Sequence, residues 1–302
     1  VLERIAQLAI PPAWREVWIC LDPLGHLQAT GLDAAGRKQY RYHDRWRAHR
    51  DRQKFESMIG FGRALPRLRR RVARDLAREG LEREAVLAAG VRLLDLGFFR
   101  IGSEDYTERN ESYGLTTMLR RHVTVRDGEL VFDYAGKSGV RRVQAIADPK
   151  VVEKVRALKR RRGGRELLAY RLDGGWHDVR AEEVNDYIRE ASGGSYTAKD
   201  FRTWNATMLA AIALAARDEQ GRSRAARARG VREAVRTVAA YLGNTPAVCR
   251  ASYIDPRVID LYLDGTTIAP TVRALPRGPD LGRPRTRARI ERAVLELLEP
   301  GS

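Results

Sequence analysis

The stretch from Thr197 to Leu214 constrains the fold most. Phe201, Trp204, Met208, Leu209, Ile212 and Leu214 recur at helical spacing and require a core-facing helix. Thr197 followed by Asp200 is close to a capping box and starts that helix. Lys199 and Arg202, three residues apart, share one of its faces. A charge on a mostly apolar helix needs a partner, and a bound phosphate would supply one. Downstream come a polar turn, Gly243-Asn244-Thr245-Pro246, and then Tyr253. On one straight helix Asn244 and Tyr253 would face opposite ways, so they share a site only if Asn244 lies in the turn before it; Pro246 suits a first helical turn. Arginine neutralises phosphoryl oxygens through a bidentate fork, and a tyrosine phenol is a nucleophile once developing charge is stabilised. Together these residues suggest a phosphodiester site.

Charge narrows the partner. Over 302 residues, 56 Lys+Arg face 39 Asp+Glu, a net +17, and so large an excess points to a polyanion held by phosphate neutralisation. Cys20 and Cys249 stand far apart without metal-ligand spacing, which argues against a disulfide framework or a zinc site. No apolar run is long enough to span a bilayer and no signal peptide opens the chain, so a cytoplasmic, nucleoid-associated protein is expected.

From the N-terminus, residues 1–9 read as a short helix stopped by Pro11-Pro12, residues 17–21 and 26–30 as a hairpin, and Arg37 to His43 as a strand with Tyr40 and Tyr42 on one face and Arg41 on the other. Arg45, Trp46, Arg47, Arg50 and Arg52 follow, interleaving cations with an aromatic in a way that suits nucleic-acid contact. Helical spacing runs over 51–62, 66–79 and 81–99, with a domain boundary expected near Gly62 to Pro66. Arg100 leaves an apolar segment, Leu93 to Phe99, that would hold its backbone rigidly. Strands are expected near 117–125, 129–135 and 139–145, and Lys137 sits in the second turn between them. Helices are expected over 148–162 and 179–191, a loop or linker over 217–230, then a helix to Leu242. A basic, proline-punctuated tail ends in an amphipathic docking helix near Glu299, to which no chemistry is assigned.

Arg100, Lys137, Lys199-Asp200-Phe201-Arg202, Asn244 and Tyr253, with Phe98-Phe99-Arg100-Ile101-Gly102 and Tyr113 to Thr117, resemble the catalytic pentad and flanking motifs of type IB DNA topoisomerases, specifically the short bacterial branch similar to the poxvirus enzymes. The resemblance covers roughly residues 10–265. It implies an α+β chain: a small N-terminal β-sheet domain over 1–63, expected to lack some N-terminal strands of its relatives, and a larger, mainly α-helical catalytic domain over 64–302 with a three-stranded β-hairpin. It further implies that Tyr253 attacks a DNA phosphate to form a 3′-phosphotyrosyl bond, that Arg100 and Arg202 clamp the transition state, that Asn244 donates a hydrogen bond, and that Lys137, assisted by Lys199, protonates the leaving 5′-oxygen. In eukaryotic and poxviral members a histidine stands at the Asn244 position. Gln39, Tyr40, Arg41, Tyr42 and Tyr106 are the implied DNA contacts; Ser103 replaces a lysine of the poxviral relatives. The expected substrate is double-stranded DNA gripped by a monomer, with no metal, ATP or other cofactor and no membrane partner. Two rivals differ: a tyrosine recombinase, which usually carries His-x-x-Arg where this chain has Lys199 to Arg202, and a non-catalytic basic DNA-binding protein, which would form no covalent adduct.

Overall fold

The computed structural model describes residues 2–102, 111–217, 223–276 and 278–299. The chain divides into two compact units, 1–57 and 58–302.

In the first unit a short helix, α1 (Leu2–Gln7), precedes three strands, β1 (Arg15–Ile19), β2 (Leu27–Leu32) and β3 (Lys38–Tyr42), paired antiparallel in that order. Buried Gln28 ties the unit together: its amide nitrogen donates to the Gly25 and Asp22 carbonyls at 2.6 and 3.1 Å, and its oxygen accepts from Arg4 at 2.7 Å. A side-chain amide satisfied on both ends fixes the turn between β1 and β2 without any large apolar core.

A continuous helix, α2 (Asp44–Leu76), crosses the division between the units. The sequence reading broke it at Gly62 to Pro66. The glycine has another purpose: a Cβ there would fall 2.7 Å from the ring of Trp204, so Gly62 admits an indole rather than ending a helix. Pro66 is carried inside the helix at the loss of one backbone hydrogen bond.

The second unit adds α3 (Arg83–Leu96), a meander of β4 (Val123–Arg126), β5 (Glu129–Ala135) and β6 (Arg141–Ile146), then α4 (Pro149–Arg160) and a hairpin of β7 (Ala169–Leu172) and β8 (Gly175–Asp178). There follow α5 (Ala181–Ser192), α6 (Ala198–Ala215), α7 (Arg224–Leu242), α8 (Pro246–Ser252), α9 (Pro256–Leu263), α10 (Ala269–Arg273) and α11 (Pro284–Leu298). The α+β character expected from sequence holds, with helices dominating and the sheets small and antiparallel.

α6 is the core of this unit. Phe201, Trp204, Ala206 and Thr207 are buried, and the helix packs against α3, α5, α7, α9, α10 and α11. Its start is the expected one: the Asp200 carboxylate reaches back to accept from the Thr197 N–H at 2.8 Å. α11 is bound to the core by charge. Arg287 donates to the Asp95 carboxylate at 2.8 Å and to the Asn205 side-chain oxygen at 3.0 Å, while Arg69 bridges Asp95 and Glu291 at 2.9 and 2.7 Å. Burial alone would raise the Asp95 carboxyl, but Arg287, Arg69 and Arg92 outweigh it and hold it well below the usual carboxylate range. A carboxylate this buried is tolerable only with such partners. The network fixes the end of α3 against α6 just before the chain turns into the candidate site.

Candidate active site

Arg100 leaves α3 through Gly97-Phe98-Phe99, and a short backbone pairing holds its segment: Leu115 N–H donates to Arg100 C=O and Thr116 N–H to Ile101 C=O, both at 2.8 Å. The two segments can approach this closely because Gly102 faces Gly114; a Cβ on Gly114 would lie 2.3 Å from the Gly102 Cα. The Arg100 guanidinium then donates to the side-chain oxygen of Asn244 at 2.5 Å. Arginine has only donors, so the amide must present its oxygen to Arg100 and keep its NH2 for something else. That NH2 nitrogen is buried and has no hydrogen-bond partner among the described residues.

Asn244 lies where the sequence argument required, in the turn before a helix. α7 ends at Gly243, whose left-handed φ of 63° permits the turn, and the Asn244 N–H closes it on the Ala239 carbonyl at 3.0 Å. Thr245 caps α8 by accepting from the Val248 N–H, and Tyr253 follows the last residue of that helix. Thr207 of α6 accepts from the Asp255 N–H at 3.1 Å and donates to the Tyr253 carbonyl at 3.3 Å, tying the tyrosine's backbone to the core helix.

Arg202 is 5% exposed, donates to the Phe98 carbonyl and, at 3.0 Å, to the Leu242 carbonyl, and stands 5.2 Å from the centre of the Tyr253 ring. Its Nε is buried without a partner among the described residues. Burial and the neighbouring Arg100 push its pKa down to about 10, so it stays charged at neutral pH. Burial would raise the Tyr253 phenol, yet Arg202, Arg100 and Lys199 together bring it below the ordinary tyrosine value. Among the described residues neither Arg100, Arg202 nor Lys199 has a carboxylate within ion-pair distance, in contrast to the arginines around Asp95. Buried guanidinium groups are normally paired. Among the described residues the site concentrates cations around a phenol and offers them only neutral acceptors, an arrangement suited to an anionic group brought from outside.

The structure thus gathers Arg100, Arg202, Asn244 and Tyr253, with exposed Lys199 contributing charge from the same helix as Arg202. Lys137 stands in a single turn of 3-10 helix (Lys137–Gly139) between β5 and β6, exposed and bonded to none of the other candidates among the described residues. In the first unit β3 alternates as expected: Tyr40 and Tyr42 are exposed with their rings stacked at 6.1 Å, and Gln39 and Arg41 lie on the opposite face. Gln39 donates to Asp33 at 2.9 Å, so it does not join the tyrosines. Tyr106 lies outside the described residues. Two residues were missed. Trp18 is in register with Thr30, which is in register with Tyr40, placing an exposed indole on the tyrosine face. Arg142 lies beside the Asn244 turn. Neither has a motif of its own; the period of two through β6 shows which face Arg142 occupies, whereas β1 does not alternate and Trp18 is placed only by its pairing with β2.

Residues 43–261 match the family profile described as eukaryotic DNA topoisomerase I, catalytic core, and residues 1–33 match bacterial DNA topoisomerase IB, N-terminal domain. The chain belongs to the type IB DNA topoisomerase family. A DNA topoisomerase 1B of Acanthamoeba polyphaga mimivirus is 30% identical over 267 residues, 86% of this chain and 80% of the relative. The DNA topoisomerase 1B of Vaccinia virus (strain Copenhagen) is 24% identical over 119 residues, 39% of this chain and 38% of the relative. Type IB membership makes the chain an isomerase with DNA as its substrate. No helix among the described residues is long and apolar enough to cross a membrane.

Proposed function

We propose that this chain relaxes supercoiled duplex DNA by reversible transesterification at Tyr253, as a monomer and without metal or ATP. The observation that carries the reading is Arg202, buried with no carboxylate partner among the described residues and seated against the Tyr253 ring. Tyr253 gives its proton to solvent water and its phenolic oxygen attacks the scissile phosphorus, a 3′-phosphotyrosyl bond forms, the bond to the 5′-oxygen breaks, and Lys137, assisted by Lys199, supplies the proton that the leaving oxygen takes up. Arg100 and Arg202 neutralise the non-bridging oxygens, and the Asn244 NH2 donates one more hydrogen bond to the charge that develops there. The amide cannot exchange a proton, so Asn244 acts as a fixed donor. The covalent bond conserves the phosphodiester energy, so swivelling and religation need no external source. Tyr40 and Tyr42 are the proposed base contacts on β3; Gln39 and Arg41 belong to the opposite face and serve the duplex backbone or the turn at Asp33.

The test is incubation with negatively supercoiled plasmid in EDTA without ATP. The wild-type chain should relax the plasmid and Tyr253→Phe should not. Relaxation by the phenylalanine variant would refute the assignment of the nucleophile, and a strict requirement for a divalent ion or ATP would refute the mechanism.

A further inference from the structure

Arg142, on β6, is cross-strand from Tyr134 on β5. Its guanidinium reaches across to the C-terminal end of α7, donating to the Ala240 carbonyl at 3.0 Å and to the Tyr241 carbonyl. Those carbonyls lie in the last turn of the helix, at the negative end of its dipole, so a guanidinium is well matched to them; the Ala240 carbonyl also accepts from the Gly243 N–H at 3.2 Å. Two glycines make room for this side chain. At Gly243 a Cβ would lie 2.7 Å from the Arg142 Nη1, and at Gly136 it would lie 3.0 Å from the Arg142 Cγ. Gly243 needs glycine for its φ of 63° as well, but Gly136 has a φ of −86° that any residue adopts, so space for Arg142 and the nearby Val140 carbonyl is what its missing side chain provides. Gly136 immediately precedes Lys137 and Gly243 immediately precedes Asn244. One side chain therefore stands between the residues that introduce two members of the site, one on a hairpin tip and one on a helix turn.

We propose that Arg142 is a positioning residue that registers the Lys137 hairpin against the Asn244 turn, so that the proton donor and the amide address the same phosphate. Lys137 is bonded to nothing among the described residues. Its placement depends on the β5–β6 ladder, on the loop closed by Gly136 N–H to Val140 C=O at 2.8 Å, and on the Arg142 tether to α7. The inference rests on the transesterification reading and adds a residue that touches neither DNA nor the reacting atoms.

The test is single-turnover cleavage of a duplex oligonucleotide whose scissile phosphate carries either the ordinary 5′-oxygen or a bridging 5′-sulfur. A thiol ionises near neutral pH, so a 5′-thiolate departs without a donated proton and the reaction no longer needs a placed acid. Arg142→Ala should slow the oxygen substrate about 100-fold, within the range general-acid catalysis contributes, and the sulfur substrate should return it to within about tenfold of wild type. Arg142→Lys, which keeps a donor for the α7 carbonyls, should recover part of the oxygen rate. Gly136→Ala, at a φ that any residue adopts, crowds Arg142 and, less closely, the Val140 carbonyl, and should show the same oxygen-specific defect in smaller measure. Equal losses on both substrates in Arg142→Ala and Gly136→Ala, or no loss on either, would overturn the assignment. If the wild-type chain forms no Tyr253 adduct with either substrate, the transesterification reading itself fails and the assignment with it.

Discussion

Replacing Asn244 by alanine and by aspartate separates two roles that its side chain combines. The amide oxygen accepts from Arg100 at 2.5 Å, while the buried NH2 has no partner among the described residues and is assigned to the phosphate. Asn244→Ala removes both functions. Loss of one preorganised donor to a developing oxyanion costs about 2.7–4 kcal/mol, a rate loss on the order of 10²–10³. Asn244→Asp keeps the acceptor for Arg100 but puts a carboxylate where the donor was. At an effective dielectric constant of about 20, two like charges about 5 Å apart repel by about 3 kcal/mol, a penalty that offsets the retained bond to Arg100. The expected order of single-turnover cleavage rates is therefore wild type, then Ala, then Asp, with Asp at least as slow as Ala. The assay is rapid-quench cleavage of a duplex oligonucleotide under enzyme excess, read as covalent adduct on a denaturing gel. An aspartate variant that outpaces the alanine variant would mean that Asn244 serves only to orient Arg100, and the donor assignment would be wrong.

Three further outcomes follow from the same geometry. Lys199→Gln removes one of the charges that lower the Tyr253 phenol, so the rising limb of the cleavage pH–rate profile should move to higher pH; an unmoved limb would show that Lys199 does not act on the nucleophile. Arg287→Ala breaks the buried network at Asp95, which keeps Arg69 and Arg92, and should cost about 3 kcal/mol in urea unfolding with an unchanged m-value. Because Asp95 is held low in the folded state, the stability it contributes is present above the unfolded carboxyl value near pH 4 and is lost as pH falls through the folded value, so the gap between wild type and Arg287→Ala should narrow under acid; a gap below about 1 kcal/mol at pH 7 would refute the network's role. Gly114→Ala places a Cβ 2.3 Å from the Gly102 Cα and should force apart the backbone pairing that holds Arg100, lowering cleavage while DNA binding at low salt persists; a wild-type cleavage rate would show that this pairing does not position Arg100.

The site was legible because its residues are set by local chemistry. The Thr197–Asp200 cap, the Pro246 start and the geometric demand that Asn244 precede the helix of Tyr253 could each be argued from neighbouring residues, and the structure places those elements accordingly. What escaped depends on contacts distant in the chain. Gly62 reads as a breaker until Trp204 is seen beside it. Residues 217–230 read as a loop from their polar composition, yet Ser223 caps α7 from Arg224 onward. The β7–β8 hairpin is not among the expected strands, although Asp173-Gly174 marks its turn and Asp173 adopts a φ of 47° there. Gln39 fits a base-reading motif, but the turn carboxylate of Asp33 claims it. The docking helix at the C-terminus was foreseen; its buried arginine and glutamate were not, because their partners lie on α2, α3 and α6.

The central claim is that Tyr253 is the nucleophile of a DNA-cleaving transesterification, and the most direct measurement is to denature the protein on DNA during turnover and map the covalent adduct by mass spectrometry. The account predicts a single modified residue, Tyr253, joined to a DNA 3′-phosphate with a free 5′-hydroxyl on the other strand end, and no adduct in Tyr253→Phe. An adduct on another residue, linkage to a 5′-phosphate, or relaxation with no adduct at all would contradict it.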